Sequence, residues 1–188
     1  MSNTNRWLKI LNAEFFQTSD RACAIVAAAL LEQLLHDLLH AHLVPNPSSN
    51  DTLFDGPSAP IGSFATKIDF AYRLGLISAR LTRDLHLVRK IRNLFAHELE
   101  GCTFDRTNVA NQVAELLKSL DIESRCPSLL GPPYNTIRGH FMMSVTLIIG
   151  FLDELVERGV VSLQAHADDD VYTNQLVDES RTLQKGGL

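Results

Sequence analysis

Residues 79–99 read ARLTRDLHLVRKIRNLFAHEL, and apolar residues recur in this stretch every three or four positions. Such spacing is typical of an amphipathic α-helix, and Ser78, directly before it, is a favourable N-cap. At about 100° per residue the apolar residues gather on one side of the helix, which predicts the side that faces the core. That side consists of Leu87, Val88, Ile91, Leu94 and Phe95.

The opposite side of this helix is polar and positively charged. Arg92 lies at its border, about 140° around the helix from His97. This local positive charge stands out because the whole chain has a net charge of −5, which argues against a chain that coats nucleic acid over its whole surface. A small basic site remains compatible with that charge. The basic face consists of Arg83, His86, Arg89, Lys90, Asn93 and His97.

The remaining sequence also predicts helices, and no alternating run of apolar and polar residues indicates strands. A long Pro/Ser/Asp segment at 45–60 and the segment CPSLLGPPYN at 126–135 predict loops. The last predicted helix is apolar almost all round, which places it either centrally or in a subunit contact. The predicted helices cover about Thr4–Phe16, Asp20–Leu43, Phe64–Gly75, Ala79–Leu99, Thr107–Leu120 and Thr136–Gly159.

Length and composition predict one globular domain over residues 1–160, followed by a polar tail at 161–188. The three cysteines are odd in number and widely spaced, which favours a reducing compartment over a disulfide framework. The N-terminus lacks an apolar signal core, and the apolar stretch Phe141–Leu152 is shorter than the roughly 20 residues that cross a bilayer. We therefore expect a cytoplasmic protein without a membrane segment.

Arg92, Asn93 and His97 are the candidate catalytic residues. A histidine can remove the proton of an RNA 2'-hydroxyl or supply one to the leaving oxygen, and a guanidinium fits the charge that develops on the phosphate. Asn93 could position either partner. Metal-independent RNA cleavage is therefore one hypothesis, with RNA bound by Arg83, His86, Arg89 and Lys90.

A structural role is the competing hypothesis for the same residues. Glu32 lies in an apolar helical stretch and needs a cationic partner, for which Arg92 and Arg73 are the candidates. His97, in turn, could bond the last carbonyls of its helix, near the negative end of the helix dipole. In this hypothesis the polar groups stabilise the fold and catalyse nothing.

Other polar clusters give weaker indications. His36 and His40 are four residues apart, a spacing that can hold zinc, but Asp37 stands where the H-E-x-x-H pattern has Glu, and no further ligand is evident. The acidic run at 168–170 is typical of a solvated tail. The sequence contains no Gly-rich phosphate loop and no arrangement typical of a nucleophilic triad, so it predicts no metal and no cofactor.

Three parts of the sequence carry a family resemblance: LFDGPSAPIGSFATKIDFAYRLGLI at 53–77, DLHLVRKIRNLFAH at 84–97, and Thr103-Phe104. Together they resemble the mannitol-operon-repressor-like (MltR-like) family, within the wider HEPN group of helical domains. The similarity covers roughly residues 19–120. The HEPN signature itself, an Arg followed after four residues by a His, corresponds here to Arg92 and His97.

The resemblance implies an all-α, antiparallel bundle of five or six helices, usually a homodimer whose Arg/His pairs meet in a cleft between subunits. In active HEPN domains that cleft cuts RNA without metal, and many of them act as toxins or in phage defence. The MltR-like branch is instead described as transcriptional repressors. Two functions therefore stay open: a regulatory or defence protein with endoribonuclease activity, and a non-enzymatic regulator that works through a protein partner.

Overall fold

The computed structural model describes residues 18–46, 48, 50–98 and 101–158, and all regular structure in this part of the chain is helical. The predicted all-α fold is confirmed. The helix predicted over Thr4–Phe16 and the polar tail lie outside the described residues. The helices are α1 (Asp20–His42), α2 (Phe64–Arg73), α3 (Ala79–His97), α4 (Thr107–Leu120), the short α5 (Ile122–Arg125) and α6 (Ile137–Arg158), with one 3₁₀ turn at Pro127–Leu130.

Three serines cap the first three helices, and Ser78 among them is the predicted N-cap. The Oγ atoms of Ser19, Ser63 and Ser78 each accept a hydrogen bond from the backbone N–H three residues further on. At Ser63 the hydroxyl of Thr66 also accepts from the Ser63 backbone N–H, which completes a capping box. Gly75, at φ 72°, ends the turn after α2 in a conformation that L side chains rarely adopt.

The segment predicted as a loop at 126–135 contains the 3₁₀ turn, and α5 lies directly before it. Both turns carry a side chain that is buried in the core: Ile122 in α5 and Leu129 in the 3₁₀ turn. Burial of these two side chains stabilises short helical turns. The Pro- and Gly-rich composition concealed this, because composition does not reveal which single residue is buried.

Helices α1 and α6 form the centre of the core. In α6 every residue at 141–145, 147–149 and 151–153 is buried, and the helix packs along α1 and against α4. Of the two positions considered for this helix, the central one is correct. Helix α6 extends well beyond the apolar stretch Phe141–Leu152. By length and composition alone, both α1 and α6 are long and apolar enough to span a membrane. Core helices satisfy the same criterion, and these two pack on each other.

The carboxylate of Asp20 connects the ends of three helices. Its Oδ1 accepts a hydrogen bond from Arg138 Nη1 at 3.0 Å, and its Oδ2 accepts one from the backbone N–H of Phe104, also at 3.0 Å. Arg138 donates a further bond to the carbonyl of Thr18 at 2.8 Å. As a result α1 and α6 begin at the same end of the bundle, and the chain that leaves α3 is fixed there.

Three buried phenylalanines continue this junction into the core. The ring centroid of Phe104 lies 4.9 Å from that of Phe95 in α3 and 5.0 Å from that of Phe141 in α6. Tilted aromatic pairs at such distances contribute about 0.5–1.5 kcal/mol each beyond the burial of their surface. The short connection from α3 to α4 is thus held through Phe104, whose backbone binds Asp20 and whose side chain packs in the core.

The first turn of α6 packs closely against the chain that precedes it. A Cβ atom at Gly139 would lie 2.5 Å from the carbonyl oxygen of Tyr134. We expect Gly139→Ala to lower the free energy of unfolding by about 1–3 kcal/mol, as overpacking does elsewhere, in urea titrations followed by circular dichroism. At Gly131 the nearest atom would be 3.5 Å away and φ is −74°, so Gly131→Ala is the matched control and should change little. Equal stability of the two variants would contradict the described contact.

Candidate functional site

Helix α3 concentrates the positive charge of the chain. It holds five of the 17 Lys and Arg residues but only one of the 22 Asp and Glu residues, namely Asp84, which is fully buried. The remainder of the chain therefore has twelve basic and twenty-one acidic side chains. The predicted contrast between a basic helix and an acidic protein is a property of the folded surface, because the single acidic residue of α3 does not reach solvent.

The basic face of α3 is only partly open to solvent. Two of its members bind acidic residues of neighbouring helices: His86 Nε2 lies 3.0 Å from Asp69 Oδ1 on α2, and Arg83 Nη2 lies 4.0 Å from Glu115 Oε2 on α4. These contacts place acidic side chains beside the face that the sequence predicts as continuous and basic. Arg83, Lys90 and His97 are exposed, whereas His86, Arg89 and Asn93 are half-buried.

Arg92 and Asn93 are brought together by the structure. Arg92 is half-buried, and its Nη1 donates a hydrogen bond of 3.0 Å to Asn93 Oδ1. Among the described residues, no carboxylate lies within ion-pair distance of Arg92. An amide oxygen accepts the bond but leaves the guanidinium with its full charge, so Arg92 can still attract an anion.

His97 is the last residue of α3 and is exposed. Within the described residues His97 makes no hydrogen bond to a carbonyl of α3, as the structural hypothesis would require. The contacts at this end of the helix are made by Glu98, whose carbonyl accepts from the guanidinium of Arg21 and whose carboxylate pairs with Arg106. Arg92 and His97 lie about 140° apart around the helix, so their side chains leave α3 on different sides.

The predicted partner of Glu32 is wrong. Neither Arg92 nor Arg73 binds it; Lys67 of α2 does, with Nζ 3.0 Å from Glu32 Oε1 and 2.9 Å from the carbonyl of Gly62. The Lys67 side chain is only 7% exposed, and a buried ammonium requires such partners. Glu32 therefore supports the packing of α2 on α1 and not the Arg92 region.

The position of Lys67 could have been found from the sequence. In FATKIDFAYR the apolar residues Phe64, Ile68 and Ala71 mark the inner side of the helix, and Lys67, three residues after Phe64, lies on that same side. A lysine at an inward position needs a carboxylate, and Glu32 is the carboxylate that lies in an apolar helical stretch.

The histidines near the end of α1 form an aromatic cluster. The rings of His36 and His40 stack with centroids 5.9 Å apart, and the edge of one meets Phe54. His42 is turned to its own helix, with Nδ1 2.8 Å from the carbonyl of Leu38. No group of three or more His, Cys, Asp or Glu side chains among the described residues could together hold a metal ion.

The three cysteines form no disulfide with one another. Cys23 is fully buried beside Arg138 and Asp20. Burial raises the pKa of the Cys23 thiol to about 12, against the opposing effect of the Arg138 guanidinium. The thiol therefore stays protonated at neutral pH and is a packing residue.

No protein-family model matches the sequence, and no curated protein matches it significantly. The fold does have a counterpart among solved structures: a chain of the X-ray structure of the MtlR–HPr complex from Escherichia coli. The two chains are 21% identical and align over 80% of this chain and 98% of that one, with a TM-score of 0.59. At this identity the likeness concerns the fold alone. The protein is thus an all-helical bundle of the kind found in that complex, in agreement with the MltR-like fold that the resemblance implies.

The contacts of Glu32 and Arg92 predict losses of stability of different size. Glu32→Ala leaves the buried Lys67 ammonium without its carboxylate and should lower the free energy of unfolding by roughly 1–3 kcal/mol. Arg92→Ala removes a bond to Asn93 only and should cost less than about 1 kcal/mol. Urea unfolding of both variants measures the difference. A larger loss for Arg92→Ala would mean that Arg92, and not Lys67, is the structural cation.

Proposed function

We propose that this protein is a transcriptional regulator that works by binding another protein. The observation that carries the proposal is the likeness of fold along almost the whole of one chain of the MtlR–HPr complex. The three MltR-like sequence stretches point the same way, since that family is described as repressors. We assign the protein to the cytoplasm, to which its free cysteines are suited.

HPr, or a small protein of the same kind, is the partner that we infer. The neighbouring structure is a complex with HPr, and a contact of this kind could couple the regulator to another protein. Protein contacts require surface complementarity and no cofactor. Regulation of this kind therefore depends on the surface of the folded bundle and needs neither a metal nor catalysis by His97.

Isothermal titration calorimetry of the purified chain with HPr from the same organism tests this function. We expect saturable binding at a fixed stoichiometry, because two preformed surfaces would meet. An unrelated protein of similar size and charge serves as the control and should give only heats of dilution. The His97→Ala variant should bind HPr as the unaltered chain does. If HPr gives no more heat than the control protein, the inferred partner is wrong.

A second function, metal-independent endoribonuclease, is favoured by one specific observation: Arg92 is held by Asn93 without losing its charge, and exposed His97 makes no hydrogen bond or ion pair within the described residues. His97 would transfer the proton of the 2'-hydroxyl or of the leaving oxygen. Arg92 would stabilise the charge on the phosphate. Arg83 and Lys90, both exposed on α3, would attract the RNA backbone.

This second function requires two copies of the chain. Arg92 and His97 of one α3 diverge by about 140°, so a composite site would take Arg92 from one protomer and His97 from its partner. We therefore tie the nuclease proposal to a homodimer, and the regulator proposal is independent of it.

Incubation of a single-stranded RNA with the chain in EDTA tests the nuclease. This function predicts cleavage by the unaltered protein and a loss of about 10²–10⁴-fold in rate for His97→Ala, the usual contribution of a general acid or base. Arg92→Ala should be impaired as well. Lys118→Ala is the matched control, since it removes an exposed charge from α4, a helix that contributes no residue to the proposed site. Absence of cleavage by the unaltered chain would eliminate the nuclease.

A further inference from the structure

Helix α1 carries a second apolar face, on the side turned away from the core. Residues 22–31 read ACAIVAAALL, which is a run of ten consecutive apolar residues. Five of them are buried in the core: Cys23, Ala24, Ala27, Ala28 and Leu31. The other five recur at the spacing of a single helix face and are half-buried or exposed. These five residues form the outer face of α1: Ala22, Ile25, Val26, Ala29 and Leu30.

The described helices leave part of this outer face open to solvent. Helix α1 packs on α2, α3 and α6, yet Ala29 is exposed and Ile25 is 40% exposed. In the described part of the chain, Ile25 is one of four large apolar side chains with such exposure, and the only one of them in α1. A helix that is apolar all round is normally buried on every side. We therefore expect a further element to cover the outer face of α1.

The segment directly before α1 has the apolar side that such a cover requires. It lies outside the described residues, so its pattern comes from the sequence. At about 100° per residue, four large apolar residues gather on one side of the helix predicted over 4–16: Trp7, Leu8, Leu11 and Phe15. Arg6 and Lys9 lie on the opposite side. An amphipathic helix of this kind has to bury its apolar side against another element.

The length of this segment matches the outer face of α1. Only residues 17–19 separate the segment from the first residue of α1, and helices joined by two to five residues lie antiparallel as neighbours. The point of entry is fixed, because the carbonyl of Thr18 accepts a hydrogen bond from Arg138 and Ser19 caps α1. At 1.5 Å per residue a helix over 4–16 would be about 20 Å long, and the outer face extends over about 12 Å.

We propose that residues 4–16 fold back antiparallel on α1 and cover its outer face. Counted outward from the connection at 17–19, Leu11 comes opposite Ile25, and Trp7 comes opposite Ala29. The cover removes an apolar surface from solvent and so keeps the chain from associating through it. It involves neither the basic residues of α3 nor a protein partner, so it is independent of the proposed function.

The fluorescence of Trp7 tests the cover in the full-length chain, because Trp7 is the only tryptophan in the sequence. We expect its emission to lie at shorter wavelength than in the urea-unfolded chain, and acrylamide to quench it less. Both properties should be independent of protein concentration, since the contact is intramolecular.

A charge on the outer face should reverse this protection. Ala29→Glu places a carboxylate opposite Trp7, where burial would leave it without a partner, so the emission should shift toward that of the unfolded chain and quenching should increase. Ala114→Glu is the matched control, because it makes the same substitution at an exposed alanine of α4 and should leave the emission unchanged. Circular dichroism verifies that both variants fold.

Three outcomes would overturn the proposal. Acrylamide could quench Trp7 in the folded chain as readily as in the unfolded chain. The emission of Ala29→Glu could equal that of Ala114→Glu, which would place Trp7 away from the outer face. Protection of Trp7 could also disappear on dilution, or develop only when phospholipid vesicles are added. The segment would then bind a second copy of the chain or a lipid surface instead of its own α1.

Discussion

The hydrogen bonds of the Asp20 carboxylate organise the bundle. One oxygen binds Arg138 at the start of α6, and the other binds the backbone of Phe104 after α3, so three distant parts of the sequence meet at the first residue of α1. Hydrogen bonds to charged groups contribute about 1.5–3 kcal/mol each. Phe104 then brings its ring between those of Phe95 and Phe141. The hydrogen bonds of Asp20 and the contacts among the three phenylalanine rings are therefore adjacent, because Phe104 takes part in both. The orientation of α3 depends on both sets of contacts.

The fixed orientation of α3 determines what its polar residues can do. Its inner side is committed to the core, and its flanks bind Asp69 on α2 and Glu115 on α4. The remaining exposed members of the basic face, Lys90 and His97, lie along the outer side. Regulation through a protein contact and cleavage of RNA are the two functions that we propose for this bundle. They differ in whether a second copy must complete the Arg92 and His97 pair.

The fold was predictable from the sequence to a large extent because its main signals are local. Ser19, Ser63 and Ser78 lie at helix starts, and apolar spacing identifies the inner side of α3. The pairing of Glu32 was not predicted correctly, since the choice between Lys67 and an arginine depends on how α2 packs on α1. The Arg92 and Asn93 contact joins adjacent residues and was within reach of the sequence. The contact of His86 with Asp69 was not, because it crosses between helices.

The five basic residues of α3, beside a single acidic residue that is buried, make this helix locally positive in an acidic chain. A neighbour that approaches experiences a torque, which turns the positive edge toward its own negative regions before contact. At physiological ionic strength this orienting field extends only about 8 Å from the surface. A molecule that collides with the protein would therefore be oriented only over the last few water layers before contact. A lower salt concentration would lengthen the distance over which this orientation acts.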